Sequence, residues 1–165
     1  LVLAGTLVSL AIPLAATLAT ARIFDAHCSD DRAQMFFHSS SFTANPIACA
    51  AAAANIAIWE SEDVCGQITT LNAQMAVRLA RLAESPTFEK PRILGAIAAI
   101  DLKVSAGAGY LSNVAPALRA FFLERGLLLR PLGNTIYVMP PYCISPQQTD
   151  QIFDAIEVAA KQFGG

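Results

Sequence analysis

Gly126-Leu-Leu-Leu-Arg-Pro-Leu-Gly-Asn-Thr-Ile-Tyr-Val-Met-Pro-Pro-Tyr-Cys-Ile-Ser145 reads as two short strands joined by a Pro-Leu-Gly-Asn turn, with one arginine and two tyrosines set in otherwise apolar sequence. A guanidinium among Leu127, Leu128, Leu129, Ile136 and Val138 is costly to bury unless an anion meets it. No acid occurs between Glu124 and Asp150. The partner of Arg130 is therefore either a carboxylate distant in sequence or a ligand.

Working outward, Ser145-Pro146-Gln147-Gln148 combines an N-cap, a first-turn proline and a capping-box glutamine. It opens a last helix with Ile152, Ile156 and Phe163 on its inner side. Upstream, a helix from about Leu111 to Arg125 ends at Gly126. Ile93 to Lys103 reads as one buried strand, and Ser85 to Arg92, with two prolines, as a loop. Val64, Ile68, Leu71, Met75, Leu79 and Leu82 recur at helical spacing. Asn45-Pro46 starts an alanine-rich helix running to about Trp59, with a break near Glu60 to Asp63. Ile12 to Ala19 reads as a strand leading into a short helix over Thr20 to Ala26, followed by a polar loop from Cys28 to Arg32. The expected class is α/β or α+β, with helices packed on a small sheet.

Composition narrows the function classes. The chain has 165 residues, of which 15% are charged, and a formal charge of −2. That suits one packed domain. The scattered basic residues argue against nucleic acid as a partner. Cys28, Cys49, Cys65 and Cys143 show no CxxC spacing and sit in apolar settings, so reduced, buried thiols in a cytosolic protein are expected. Residues 1–21 carry no charge and would register as a membrane span. They lack a basic flank, however, and Pro13 interrupts them, so buried strands of an α/β core explain them equally well. A start at Leu1 suggests a piece of a longer protein. His27-Cys28 has no second ligand at metal spacing and His38 is isolated, so no metal site is expected. Ser39-Ser40-Ser41 before an Asn-capped helix is a weak anion-binding signal.

Three blocks occur in one order: Pro13-Leu-Ala-Ala-Thr-Leu-Ala-Thr20, Phe37-His-Ser-Ser-Ser-Phe-Thr-Ala-Asn-Pro-Ile-Ala-Cys-Ala50 and Arg130-Pro-Leu-Gly-Asn-Thr-Ile-Tyr-Val-Met-Pro-Pro-Tyr142. Together they resemble the C-terminal part of class III, fold-type I pyridoxal-phosphate aminotransferases. The third block is similar to the branch that transfers an amino group from S-adenosylmethionine to 8-amino-7-oxononanoate in biotin biosynthesis, giving 7,8-diaminononanoate. The resemblance implies that residues 1–44 end a large cofactor-binding domain and residues 45–165 form the C-terminal small domain. It also implies a cytoplasmic homodimer that uses pyridoxal 5'-phosphate and small-molecule substrates, away from membranes.

Residue by residue, the resemblance implies that Arg130 holds the keto-acid carboxylate in a bidentate pair and that Tyr137 lines the same pocket. Ser41 matches a residue that reaches across the dimer interface to the cofactor phosphate. Structural alternatives stand beside these roles: Arg130 as a snorkelling residue paired to a remote acid, Tyr137 as a core tyrosine, Ser41 as a solvated loop serine. The family's Schiff-base lysine falls on Gly5 in Leu3-Ala-Gly-Thr-Leu-Val-Ser9, and the chain's lysines are Lys90, Lys103 and Lys161. Ser39-Ser40 also replaces the usual Gly-Pro. No catalytic residue is therefore expected in this chain, and the chain alone is expected to be inactive. Other readings are a different class III omega-aminotransferase, with lysine rather than S-adenosylmethionine as donor among the options, a non-catalytic binding or dimerisation module, and a small membrane-anchored protein.

Overall fold

A computed structural model describes residues 14–16, 18–37, 43–105 and 107–164. The chain divides into two compact units, Leu1–Asp63 and Val64–Gly165.

In the first unit, α1 spans Ala21–His27 and α2 spans Pro46–Ser61. The α2 start follows from local chemistry. Asn45 Oδ1 accepts from the backbone N–H of Ile47 at 3.0 Å and of Ala48 at 3.2 Å, satisfying donors that a helix N-terminus leaves free. Apolar residues lie all round α2, yet Ala48 is its one buried residue, and Ile47, Ile56, Ile58 and Trp59 are exposed. The strand expected over Ile12 to Ala19 is not formed where it is described: residues 14–16 and 18–20 are irregular. No strand pairs with them among the described residues, and an extended segment without a partner has no ladder to hold it. Residues 12, 13 and 17 lie outside the described residues.

The second unit carries the sheet. It contains α3 (Val64–Ala83), β1 (Phe88–Leu94), β2 (Ile97–Leu102), α4 (Val114–Leu123), β3 (Thr135–Val138) and α5 (Pro146–Phe163). The strands are antiparallel in the order β1-β2-β3. The expected α3 stripe is buried at Val64, Leu71, Met75, Leu79 and Leu82. It packs with α5 and the sheet around Ile100, Leu102, Leu118, Phe122, Ile136, Phe153 and Ile156. Arg78 on α3 pairs with Asp150 and Asp154 of α5. Ser145 caps α5 with the full capping box to Gln148.

Three sequence expectations are corrected here. The proline-containing segment expected as a loop forms β1, because Pro91 sits at a register shift between Glu89 and Arg92, on an edge strand where its missing N–H breaks no ladder bond. The long strand expected over Ile93 to Lys103 is the end of β1, a two-residue turn and β2. Gly95, first in the turn, has a φ of 55°, a conformation that tight hairpins need and glycine adopts freely. Leu127 to Arg130 is not a strand. The Leu127 N–H turns back to the Phe122 carbonyl and the Gly126 N–H to that of Leu123, the Schellman pattern that ends α4. The true partner of β3 is β2.

The cysteines also differ from expectation. All four are free, as expected, but each is exposed. The apolar settings seen in sequence belong to helix and loop faces that this chain does not cover. No helix among the described residues is long and apolar enough to cross a membrane, and no metal-holding cluster occurs among them.

Asp101 on β2 anchors the outer face of the sheet. Its carboxylate accepts from Thr135 Oγ1 at 2.7 Å and Arg92 Nη2 at 2.9 Å, with Lys90 Nζ at 3.6 Å. Burial alone would raise its pKa. The Thr135 bond, the bond and charge of Arg92, and the charge of Lys90 outweigh that and hold it below the ordinary value. A depressed folded-state pKa contributes stability that is present above the ordinary carboxylate range and lost as pH falls through the folded value. Asp101→Asn should therefore flatten the acid limb of a stability-against-pH curve measured by urea unfolding. An unchanged acid limb would remove Asp101 as its source.

Candidate substrate site

Arg130 sits between two anchored points. On its N-terminal side the α4 terminator fixes residues 126 and 127. On its C-terminal side Pro131 is buried, and Leu132 and Thr135 exchange backbone hydrogen bonds of 2.9 and 3.0 Å across Gly133-Asn134. The arm is thus tied down at both ends while the Arg130 side chain is exposed. The sequence raised a buried guanidinium in need of an anion. Instead, the guanidinium is solvated and has no hydrogen bond or ion pair with the protein among the described residues.

Tyr137 lies in the middle of β3. Ile136 and Val138 point into the core, so Thr135 and Tyr137 face the other way. Across the ladder Tyr137 pairs with Ala99. Arg130 and Tyr137 line one surface concavity of about 340 Å³, together with Leu127, Leu129, Met139 and Ile144. This is near the lower end of ligand-pocket sizes. Its lining includes no carboxylate. Two further concavities differ in this respect: Arg81 and Lys161 share one with Glu84 and Glu157, and Arg78 shares the other with Asp150. Of those cations, Arg78 and Lys161 are already paired, with Asp150 and Glu157, whereas Arg130 has no such pair among the described residues. A cation and a phenol above an aliphatic floor suit a ligand with an anionic end and an apolar chain.

Residues 2–160 match the aminotransferase class-III family. The chain belongs to the class-III aminotransferases. It is 42% identical over 146 residues to the adenosylmethionine-8-amino-7-oxononanoate aminotransferase of Synechococcus elongatus, covering 88% of this chain and 34% of that protein. The enzyme of the same name from Geobacter sulfurreducens is 32% identical over 151 residues, covering 88% of this chain and 33% of the relative. The chain thus spans about a third of the length of the curated relatives it matches. Among solved structures, the enzyme of that name from Methanocaldococcus jannaschii superposes with a TM-score of 0.82 at 28% identity, over 92% of this chain and 36% of the other. A PLP-bound amine transaminase from an uncultivated Pseudomonas species gives 0.81 at 29% identity, over 95% and 37%. The mixed helices and small antiparallel sheet are those of the C-terminal part of the fold-type I aminotransferase architecture.

Pyridoxal phosphate is the cofactor of this class-III family. The described residues of this chain do not fit it. Lys90 is held by Glu89 and Asp101, and Lys161 by Glu157. Lys103 is exposed just beyond β2. None of the three lines the Arg130 concavity. Gly5 and Ser41, the positions the resemblance ties to the cofactor, lie outside the described residues, as do Ser39 and Ser40. Sequence reasoning brought Arg130 and Tyr137 to one site but missed Asn134. Its side chain is buried among polar partners, where the Gly-Asn pair signalled only a turn.

Proposed function

We propose that this chain is the C-terminal portion of an enzyme that transfers an amino group from S-adenosylmethionine to 8-amino-7-oxononanoate in biotin biosynthesis. The observation that carries the reading is Arg130, without a hydrogen bond or ion pair among the described residues, beside Tyr137 in a concavity whose described lining holds no carboxylate. Arg130 takes the substrate carboxylate, Tyr137 flanks it, and the leucine floor accepts the aliphatic chain. Residues 1–44 belong to the end of a large cofactor domain and 45–165 to the small domain. Ser41 contributes to the phosphate site of a homodimer. The bare apolar circumference of α2 supports the view that further polypeptide or a second subunit covers it. Four free thiols support a reducing, cytoplasmic setting.

A second reading, a non-catalytic relative, rests on Gly5 at the lysine position. The two separate in one experiment on the longer polypeptide that carries this sequence. The enzyme reading requires a lysine from outside these 165 residues in place of Gly5, and expects conversion of 8-amino-7-oxononanoate with S-adenosylmethionine and a borohydride-trappable chromophore on that lysine. Substrate binding without either favours the second reading. No binding removes both. The 165-residue chain alone is expected to give no such chromophore.

A further inference from the structure

We propose that Asn134 is a positioning residue for the Arg130 site, locking the loop over residues 107–113 onto the turn that holds the Arg130 arm. The inference rests on the carboxylate reading of Arg130 and goes one layer behind it. Asn134 is 3% exposed, and its side chain makes two long-range bonds. Nδ2 donates to the Leu102 carbonyl at 2.8 Å, at the end of β2. Oδ1 accepts from the Gly109 N–H at 2.7 Å. Its own carbonyl accepts from the Leu102 N–H at 2.8 Å. One residue thus ties β2, the loop and the turn together.

Gly133 shows how close that docking is. It has a φ of 60°, and a Cβ there would overlap the Gly109 carbonyl oxygen. The loop backbone therefore lies directly against the turn. From the turn the chain runs back through Leu132 and buried Pro131 to Arg130, and forward through Thr135 to Tyr137. Both pocket residues lie within four positions of Asn134, so a shift of the turn moves them together. Small displacements of an orienting group cost up to about 100-fold in use of a bound substrate.

The test uses the longer polypeptide and calorimetric dissociation constants for two ligands, 8-amino-7-oxononanoate and its analogue ending in a primary amide. The parent protein should prefer the acid. Asn134→Ala should weaken acid binding at least tenfold and leave the amide within about twofold, because the loss passes through Arg130. Gly109→Ala attacks the same docking from the loop side, since its φ of 117° disfavours any Cβ. It should produce the same selective loss, and it serves if the Asn134 variant does not fold. Equal weakening of both ligands, or no change in either, overturns the positioning role. Arg130→Ala separates this from the pocket reading itself: if that variant keeps the acid preference, the carboxylate site is elsewhere. If it loses the preference while Asn134→Ala and Gly109→Ala keep it, only the role of Asn134 falls.

Discussion

Arg130→Ala, placed in the context of a full-length homologous enzyme, is expected to lower kcat/KM for 8-amino-7-oxononanoate by roughly two orders of magnitude while leaving cofactor affinity unchanged. Charge-assisted, bidentate pairs are about twice as strong as neutral hydrogen bonds, and each 1.4 kcal/mol is a factor of ten. Nothing else on the described surface of the concavity can replace the guanidinium, because its remaining lining is aliphatic apart from Tyr137. Removing the side chain also breaks no hydrogen bond or ion pair among the described residues, so fold stability should hold. Arg130→Lys should recover part of the loss, keeping the charge but not the planar fork. Equal losses for the cofactor and the keto acid would count against the carboxylate role.

Gly133→Ala is expected to destabilise the chain by roughly 2–5 kcal/mol, combining a left-handed backbone with backbone-to-backbone overlap. The new Cβ would meet the Gly109 carbonyl oxygen and lie 2.9 Å from the Tyr110 carbonyl carbon. Neither neighbour is the free end of a side chain, so relief requires the loop to move. Gly126→Ala is the matched control. Its φ is 71° but nothing lies within 4 Å of the added atom, leaving only the conformational cost of about 1–2 kcal/mol. Urea midpoints of the two variants, monitored by far-UV circular dichroism, provide the comparison. Similar midpoints would mean that the loop does not rest on the turn in solution.

The helix starts were legible because their causes are local. Asn45 and Ser145 cap helices with their own side chains, and the proline after each is pre-set for the first turn. The sheet was harder, since its partners are chosen at long range. Leu127 to Leu129 have strand-like composition but no ladder, while Pro91 looks like a strand breaker yet sits harmlessly at a bulge. The continuous apolar run through Leu94 and Ile97 hid a turn that only Gly95 betrayed. At the site, Arg130 stood out as a charge without a local acid, and Tyr137 followed from its resemblance block. Asn134 did not, because a sequence shows that an asparagine can turn the chain but not that Leu102 and Gly109 will converge on it.

The irregularity of β1 has a consequence for how copies of this chain can meet. A regular outer strand presents a row of unsatisfied amides on which another molecule can build. Here that row is interrupted by Pro91 and by the left-handed Lys90, with a φ of 50°. On the opposite side β3 is only four residues long and runs into Pro140-Pro141 soon after it ends. The sheet is thereby closed to templated growth at both margins. Whatever surface the exposed leucines and isoleucines seek, they seek it through side chains, and the backbone of this small sheet contributes no seed for a fibre.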